Sequence, residues 1–469
     1  MSKYLYGASV QGIQDFIFKT NQLQEIVGAS EIVKSLEREF ITFAKIAEDK
    51  ILLNAAGNIK AIFEDRSSLE RVVMEFPKLI MQKAYGITIS QAVVIMEGEF
   101  GKQDDAIREL ERKLKIQRNK PSVPLDLSIG IMELAPKTAR ALFEIDKNGN
   151  RLDKASSLKR KANEEFYEKN PRNREFVDIL DFSNGKGKIA VIHADGNGLG
   201  QLIPNLKMPL NEFSKKLDIA TKKAFDDARD DTMDIREVVL GGDDLTVICN
   251  ANNALEFTKK FLANFENETK ELGNGGLTAC AGIAYCNEKY PFHYAVSLAE
   301  ALCGAAKKHA KKLVENTNNP APSSLMFHNI QSSNFQSWEK FIADELTIAN
   351  DQETIRCDFG PYYLSQDGEP SIDDFLNTVK AYSQEGSPIS RLREWIGELH
   401  KSKTYADNLL ARINEIIKAN DKWKCEAMDN NLKKINPKLC NQELIIPKDD
   451  FLKTPIYDVL QILSVTEAK

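Results

Sequence analysis

An internal repeat in the hydrophobic pattern constrains the fold of this chain more than any other feature. The first half predicts alternating strands and helices in the order strand, helix, two strands, helix and strand, at 3–10, 30–48, 51–53, 59–63, 67–84 and 91–97. The second half repeats this order at nearly the same spacing, at 188–194, 211–229, 236–240, 245–249, 254–271 and 277–285. The order βαββαβ is that of a ferredoxin-like domain, so the sequence predicts two such domains.

The repeat divides the chain into four predicted regions within an α+β fold. We expect a first ferredoxin-like domain at 1–100, an inter-domain region at 101–185, a second ferredoxin-like domain at 186–334 and a helical C-terminal domain at 335–469. Within the inter-domain region, 125–134 predicts a strand. The segment 151–175 carries eight basic and five acidic residues, which is typical of a solvated helix or loop and less often of an RNA- or partner-binding segment.

Charge and hydropathy exclude several classes of protein. The 469 residues include 63 Lys and Arg against 69 Asp and Glu, a net charge of -6, so binding to nucleic acid through bulk charge is excluded. The apolar runs are too short to cross a bilayer, and the N-terminus does not have the pattern of a signal peptide. We therefore expect a cytoplasmic protein that does not associate with membranes.

Cysteine and histidine are scarce, which limits the metal chemistry that the chain can support. The seven Cys form no C-x-x-C pair, and Cys249, Cys280 and Cys303 lie in apolar stretches where burial is expected. The five His form no H-E-x-x-H motif. Any metal ion should therefore be a hard cation bound by oxygen atoms.

Carboxylates suited to such a cation occur in the second repeat. Asp195 follows an apolar strand, whereas Asp243 and Asp244 occupy a hairpin turn that begins with Gly241-Gly242. In a ferredoxin-like sheet that strand and that hairpin are neighbours, so the three carboxylates should converge. Their mutual repulsion calls for cations, and two Mg²⁺ or Mn²⁺ ions would suit nucleotidyl transfer. Taken alone, a Gly-Asp hairpin is more often only structural.

Two further motifs in the second repeat, a glycine-rich run and a lysine pair, resemble phosphate-binding elements. The run Gly196–Gly200 departs from the G-x-G-x-x-G dinucleotide fingerprint and from the phosphate-binding P-loop. Lys307 and Lys311 are predicted to lie one helical turn apart, where they could reach a triphosphate. Taken alone, a lysine-rich helix usually exposes its lysines to solvent without binding a ligand.

These residues together resemble a known family. The motifs Asp-Gly-Asn-Gly-Leu-Gly from Asp195, Gly-Gly-Asp-Asp from Gly241 and Ala-Lys-Lys-His-Ala-Lys from Ala306 are similar to those of the large palm-domain polymerase/cyclase subunit of type III CRISPR effector complexes. The segments 11–18, 27–31 and 328–333 also resemble that family, the first two particularly its type III-B branch. The resemblance covers both repeats and extends into the C-terminal region.

The resemblance implies that only the second palm domain is active and that it joins ATP units through 3′–5′ bonds into a cyclic oligoadenylate messenger for antiviral defence. Asp195, Asp243 and Asp244 would be catalytic and would bind the metal ions. The nucleotide-binding residues would be Ala194, Gly196, Asn197, Gly198, Gly241, Gly242, Lys307 and Lys311. The implied partners are the other effector subunits, together with guide RNA and the target RNA that activates the enzyme.

The sequence departs from the family pattern in two respects. It begins at the first palm domain without a His-Asp pair, so HD nuclease activity is not expected, and it lacks the cysteine-rich zinc segment between the palms. Three alternatives stay open: a stand-alone GGDEF-like cyclase that makes a cyclic dinucleotide, a synthase of an AMP conjugate, and an inactive scaffold. The sequence leaves product ring size, base selectivity and oligomeric state open.

Overall fold

The structure is a computed structural model that forms two compact units. It describes residues 3–55, 57–100, 102–120, 130–169, 178–203, 206, 208–272, 276–315, 319–331, 337–349, 353–419 and 425–467. The first unit comprises 1–181 and 203–219, and the second comprises 182–202 and 220–469.

The first repeat folds into a four-stranded antiparallel sheet with helices packed against it. Its elements are β1 (Lys3–Gln11), α1 (Ile13–Phe18), α2 (Leu23–Ala44), β2 (Ile51–Ala55), β3 (Asn58–Phe63), α3 (Arg66–Lys83), β4 (Thr88–Met96) and α4 (Gln103–Arg118). The strand order is β2-β3-β1-β4. In β3 alternate residues are buried, the two-residue period expected of a strand with one face in a core. This arrangement is the ferredoxin-like topology that the sequence predicts.

The segment after α4 corrects one interpretation of the sequence. It contains β5 (Glu144–Ile145), β6 (Arg151–Leu152) and α5 (Lys154–Lys169). The described part of the basic segment, 151–169, is not a solvated element, because α5 packs against α2 so closely that a Cβ atom on Gly28 would lie 1.7 Å from the carbonyl oxygen of Lys159. The rest of the segment, 170–175, lies outside the described residues. Arg160 also forms a largely buried ion pair with Glu25. Charged residues of α5 such as Arg160 therefore take part in the packing of α5 against α2.

The second repeat folds in the same order. Its elements are β7 (Lys188–Gly196), α6 (Leu199–Leu202), α7 (Leu210–Ala228), β8 (Ile235–Gly241), β9 (Asp244–Asn250), α8 (Ala254–Glu268), β10 (Ala279–Asn287), α9 (Phe292–Leu313) and β11 (Ser324–Asn329). The four strands β8-β9-β7-β10 reproduce the first sheet, and β11 extends it beyond β10. Cys249, Cys280 and Cys303 are buried here, as predicted.

The C-terminal region contains helices and short strands. Its elements are α10 (Trp338–Glu345), β12 (Thr347–Ala349), β13 (Thr354–Arg356), β14 (Tyr362–Tyr363), α11 (Ile372–Tyr382), α12 (Ile389–Leu399), α13 (Lys403–Ala419), α14 (Cys425–Ile435), β15 (Ile446–Lys448), β16 (Phe451–Lys453) and α15 (Ile456–Val465). Strands β12, β13, β16 and β15 form a small sheet, while β14 adds to the palm sheet beside β11. The fold is thus α+β, with two ferredoxin-like palm sheets and a largely helical C-terminal region.

Other differences from the sequence prediction concern the bounds of two helices and one predicted strand. Helix α2 begins at Leu23 rather than at 30, and helix α8 ends at Glu268 rather than at 271. Of the strand predicted at 125–134, residues 125–129 lie outside the described residues and 130–134 form a turn with one bridge at Leu134. Within the described ranges, every helix is too short or too polar to cross a bilayer.

Candidate active site

The second palm sheet brings a strand end and a hairpin turn together. Strand β7 is buried along its centre and pairs with β9 so that Asp195 lies opposite Asp244. The hairpin that joins β8 to β9 has two turn residues, Gly242 and Asp243, and Gly242 adopts a φ of +61°. A turn with positive φ at its first central residue alone is typical of a type II′ hairpin, which accounts for a glycine at this position.

Asp195, Asp243 and Asp244 converge at this edge, as the sequence predicts. Each offers a carboxylate oxygen that lies within 4.8 Å of the oxygens of the other two. The approach is close, because a Cβ atom added to Gly196 would lie 2.8 Å from the Cβ atom of Asp243. Gly196 therefore lacks a side chain where the turn packs against the end of β7.

The cluster carries more negative charge than the protein neutralises. Loss of solvation, followed by repulsion from Asp244 and Asp195, raises the pKa of Asp243 to about 7. Asp244 is the most exposed of the three, yet burial of its carboxyl group and the charge of Asp195 still raise its pKa to about 6. Such shifts are expected of carboxylates that share a site without enough cations. This donor set, made of hard oxygens at coordination distance, fits a divalent cation.

Lys307 on α9 supplies one positive charge to the cluster. Its ammonium group donates a hydrogen bond to the carbonyl oxygen of Gly196 at 2.6 Å and a second one to the carboxylate of Asp195. Helix α9 reaches this position because it packs directly on β10, where a Cβ atom on Gly282 would lie 2.0 Å from the carbonyl oxygen of Ala299. The sequence predicts that Lys307 reaches a triphosphate; its contact with Asp195 is a finding of the structure.

Lys311 does not make that contact. It is exposed one turn further along α9 and lines an open groove of about 340 Å³. The groove is lined by Gly304, Lys307, Lys308, Lys311, Lys312 and Glu315. Four lysines beside an acidic cluster would hold the phosphate groups of a nucleotide whose metal-bound end reaches the aspartates.

The loop after β7 is anchored by Asn197. This side chain is 5% exposed and its amide nitrogen donates to the carbonyl oxygen of Ala321 at 3.3 Å and to the hydroxyl of Thr278 at 3.1 Å. Ala194 is fully buried within β7, and Gly198 adopts a φ of +76° with open space around it. Of these three predicted nucleotide-binding residues, Gly198 is exposed to solvent, whereas the side chains of Asn197 and Ala194 are buried.

Sequence reasoning missed two residues at this site. Burial, followed by the charge of Asp244, raises the pKa of Glu300 on α9 to about 7. Glu300 lies seven residues before Lys307, and that spacing on one helix face could have revealed it. Thr221 donates a hydrogen bond from its hydroxyl to the carbonyl oxygen of Gly242 at 2.5 Å, which holds the turn; no sequence signal marks it.

A protein-family model matches the part of the chain that contains this site. Residues 188–314 match the family model described as Cas10/Cmr2, second palm domain. The match therefore contains Asp195, both hairpin aspartates and Lys307. A search of curated proteins found no match.

Solved structures show similarity across the whole chain. A crystal structure of a Csm1–Csm4 cassette in complex with cA4 matches 99% of this chain and 70% of that chain, with a TM-score of 0.52 and 14% identity. The cassette with pppApApA gives a TM-score of 0.53 at 14% identity, covering 99% and 69%. The Csm1–Csm4 subcomplex of the type III-A CRISPR-Csm interference complex gives 0.52 at 14%, covering 99% and 70%. At this identity the similarity establishes the fold.

Proposed function

We propose that this protein is a nucleotidyl cyclase that joins ATP units through 3′–5′ phosphodiester bonds into a cyclic oligoadenylate, as the palm-domain subunit of a type III CRISPR effector complex. The observation that carries the proposal is the convergence of Asp195, Asp243 and Asp244 at one edge of a sheet that matches the Cas10/Cmr2 second palm domain. The alternative of an inactive scaffold is disfavoured, because a scaffold gains nothing from three crowded carboxylates.

Asp195, Asp243 and Asp244 are the residues that would hold Mg²⁺ or Mn²⁺. The raised pKa values of Asp243 and Asp244 reflect a negative charge that a divalent cation would neutralise. Two bound ions would lower the pKa of an attacking 3′-hydroxyl and stabilise a pyrophosphate leaving group. Asp243 and Asp244 come from a tight turn and Asp195 from a buried strand, so the chain holds these ligands in place before the substrate arrives.

The other residues of the site orient the nucleotide. Lys307 contacts Asp195 and also lines the lysine groove. Its ammonium group would there stabilise the negative charge that develops on a triphosphate during the reaction. Lys311 would contact the outer phosphates from the exposed face of α9. Gly198 and Gly242 have open space around them where phosphate oxygens would fit, whereas Gly196 lets the hairpin turn pack against the end of β7. Asn197 and the backbone of Ala194 keep the loop in position.

The substrate and product are inferred from the related structures. The similar Csm1–Csm4 cassette has been solved with ATP, with AMPPNP and with linear and cyclic oligoadenylates. ATP as substrate and a cyclic oligoadenylate as product follow if this chain shares that chemistry. In this proposal the protein works in the cytoplasm with other type III subunits, and guide RNA and target RNA control it through the complex. The segments 11–18 and 27–31 favour a type III-B assignment, whereas the similar subcomplex is type III-A.

The test is product formation from labelled ATP with Mn²⁺, analysed by chromatography and mass spectrometry. The double variant Asp243→Ala/Asp244→Ala should lose all product. Asp226→Ala/Asp227→Ala is the matched control, because it removes an exposed Asp-Asp pair from α7. Circular dichroism should show both variants folded. Absence of product from the wild-type protein, alone and in a complex with guide and target RNA, would contradict the proposal.

Two further outcomes would identify alternatives. Full activity without any RNA or partner subunit, with a cyclic dinucleotide as product, would indicate a stand-alone cyclase of the GGDEF type. A product that contains AMP joined to a different adenosyl compound would indicate a conjugate synthase.

A further inference from the structure

A second cluster of polar side chains lies between α9 and the C-terminal region. His309 on α9 contacts two residues of the C-terminal region: its Nδ1 atom is 2.5 Å from the hydroxyl of Tyr363 on β14, and its Nε2 atom is 3.2 Å from a carboxylate oxygen of Asp449. The His309 side chain is 18% exposed. With both ring nitrogens engaged, the imidazole links α9 to two separate strands of that region.

Asp449 is itself held by two lysines. Lys453 donates to it at 3.0 Å and Lys448 at 3.2 Å, and Lys448 also pairs with Glu369 at 3.0 Å. Oxygen and nitrogen atoms of His309, Glu369 and Asp449 lie close enough to coordinate a metal ion. Because the two ammonium groups already neutralise the two carboxylates, the arrangement fits a salt-bridge cluster rather than a cation site.

The backbone at Asp449 supports a specific role for this contact. Strands β15 and β16 are joined by a two-residue turn, Asp449 and Asp450, whose φ angles are +50° and +65°. Positive φ at both central positions is typical of a type I′ turn, in which glycine, asparagine and aspartate predominate and the second position is most often glycine. A pair of aspartates in this conformation stores strain that the surrounding contacts must offset, and such strain is often found where a side chain must be aimed at a partner. The partner here is His309.

The position of His309 on α9 connects the cluster to the active site. His309 follows Lys307 by two residues, which at about 100° per residue places the two side chains on opposite faces of the helix. Lys307 contacts Asp195 from one face while His309 contacts Asp449 from the other. A shift of α9 away from the C-terminal strands would therefore move the Lys307 ammonium group relative to the aspartates.

We propose that His309 is a positioning residue, which braces α9 against Tyr363 and the β15–β16 turn and so sets the distance between Lys307 and Asp195. The consequence for catalysis rests on the proposed cyclase function, whereas the brace itself does not. Through this contact the C-terminal region takes part in forming the active site. Movement of the β15–β16 turn would change the rate of nucleotidyl transfer without touching the substrate.

Kinetics provide the first test. His309→Ala should lower kcat by roughly 10- to 100-fold, the cost of a small displacement of a catalytic group, and should change the KM for ATP by less. His309→Gln, whose amide can reach Asp449, should recover part of the loss. The matched control is His293→Ala, because His293 is exposed on the same helix far from the cluster. Wild-type kcat in His309→Ala would overturn the proposal.

A double-mutant cycle separates positioning from general destabilisation. If His309 acts through Lys307, then His309→Ala should have little further effect on kcat in the Lys307→Ala background. Equal losses in both backgrounds would contradict the proposal. Should His309→Ala fail to fold, Asp449→Asn tests the same contact, since it keeps the shape of the side chain and removes its charge.

The last measurement does not depend on activity. Acylation of Lys307 by an amine-reactive ester, followed by peptide mass spectrometry, reports its protection by Asp195 and Gly196, with exposed Lys311 as the internal reference. His309→Ala should raise the labelling of Lys307 relative to Lys311 severalfold, and His293→Ala should not. Unchanged labelling in His309→Ala would refute the brace even if the protein proved to be an active cyclase. Increased labelling would support it even if no cyclic product formed.

Discussion

The two palm sheets have the same strand order but differ at one equivalent position. In the second palm, Asp195 of the first strand lies opposite Asp244 at the start of the strand that follows the hairpin. In the first palm the corresponding pair is Ser9 and Asn58. The hydroxyl of Ser9 donates to the side-chain oxygen of Asn58 at 3.0 Å. A neutral hydrogen-bonded pair thus stands where the second palm has two carboxylates.

The comparison extends to the cation on the following helix. Arg118 lies fifteen residues after the start of α4, and Lys307 lies fifteen residues after the start of α9. Arg118 donates to the hydroxyl of Ser9 at 2.9 Å, just as Lys307 donates to Asp195. Each palm therefore directs a cation from this helix to the end of its first strand.

The difference shows how the same fold holds a neutral pair in the first sheet and a candidate cation site in the second. The hydroxyl of Ser9 is paired with Asn58 and Arg118, and neither Ser9 nor Asn58 carries a charge that calls for a cation. The aspartates of the second palm repel one another, and one lysine does not balance three carboxylates. Four predictions test this contrast, from the largest expected effect to the smallest.

Asp195→Asn should reduce cyclase activity about 10³-fold or more, equivalent to about 4 kcal/mol of transition-state stabilisation, because it removes a metal ligand. Ser9→Ala at the matched position of the first palm should change the rate by about threefold or less. Rates of ATP conversion measured at saturating Mn²⁺ test both. Similar losses in the two variants would show that the palms are functionally equivalent at this position.

Gly282→Ala should destabilise the protein by about 3 kcal/mol, because the new methyl group would meet the backbone of α9 and force the helix away from β10. At Gly7, on the first strand of the other sheet, a Cβ atom would meet the side chain of Leu110, which can rotate. Gly7→Ala should therefore cost only about 1 kcal/mol. Urea denaturation monitored by circular dichroism measures both values, and equal costs would contradict this account of the packing.

Lys307→Ala should lower kcat about 10²-fold, or about 2.7 kcal/mol, because a charge near the phosphates is lost. Lys307→Arg should retain part of the activity. Arg118→Ala, the matched change in the first palm, should affect stability more than rate, since Arg118 donates to the neutral hydroxyl of Ser9. A larger fall in kcat for Arg118→Ala than for Lys307→Ala would reverse the assignment of the two palms.

Asp243→Asn should raise the stability of the metal-free protein at pH 8 by roughly 1 kcal/mol, a figure reduced from the full pKa shift because the group is partly solvated. The folded-state pKa of about 7 exceeds the ordinary value of 3.8, so the folded protein holds this proton more tightly. The carboxyl therefore favours folding below about pH 4, and that contribution is lost as the pH rises through about 7. Thermal unfolding in EDTA between pH 5 and 8 measures the difference, which should narrow at the lower pH. A variant that is less stable than the wild type at pH 8 would contradict the prediction.

Much of the fold could be predicted because hydrophobic periodicity is local information. The order of both βαββαβ units was predicted from the spacing of apolar residues alone. The strands β12 to β16 were not, since elements of two or three residues are too short to show a period. The basic character of α5 suggested solvation, yet Gly28 allows a close helix contact that charge composition cannot reveal.

The residues of the candidate site were likewise predicted only in part. Asp195, Asp243 and Asp244 were identified because their positions at a strand end and a hairpin follow from topology. Glu300 and Thr221 were missed because their relevance depends on how α9 and α7 pack against the sheet.

By itself the sequence determined the repeated βαββαβ topology and the three acidic residues at one edge of the second sheet, because strand order and hairpin position follow from patterns along the chain. Only the tertiary structure decided that Lys307 meets Asp195, that Asn197 anchors the loop from within, and that His309 joins α9 to Asp449. These contacts join residues more than a hundred positions apart. Their geometry depends on how closely the backbones approach at glycines such as Gly282, which no local pattern encodes.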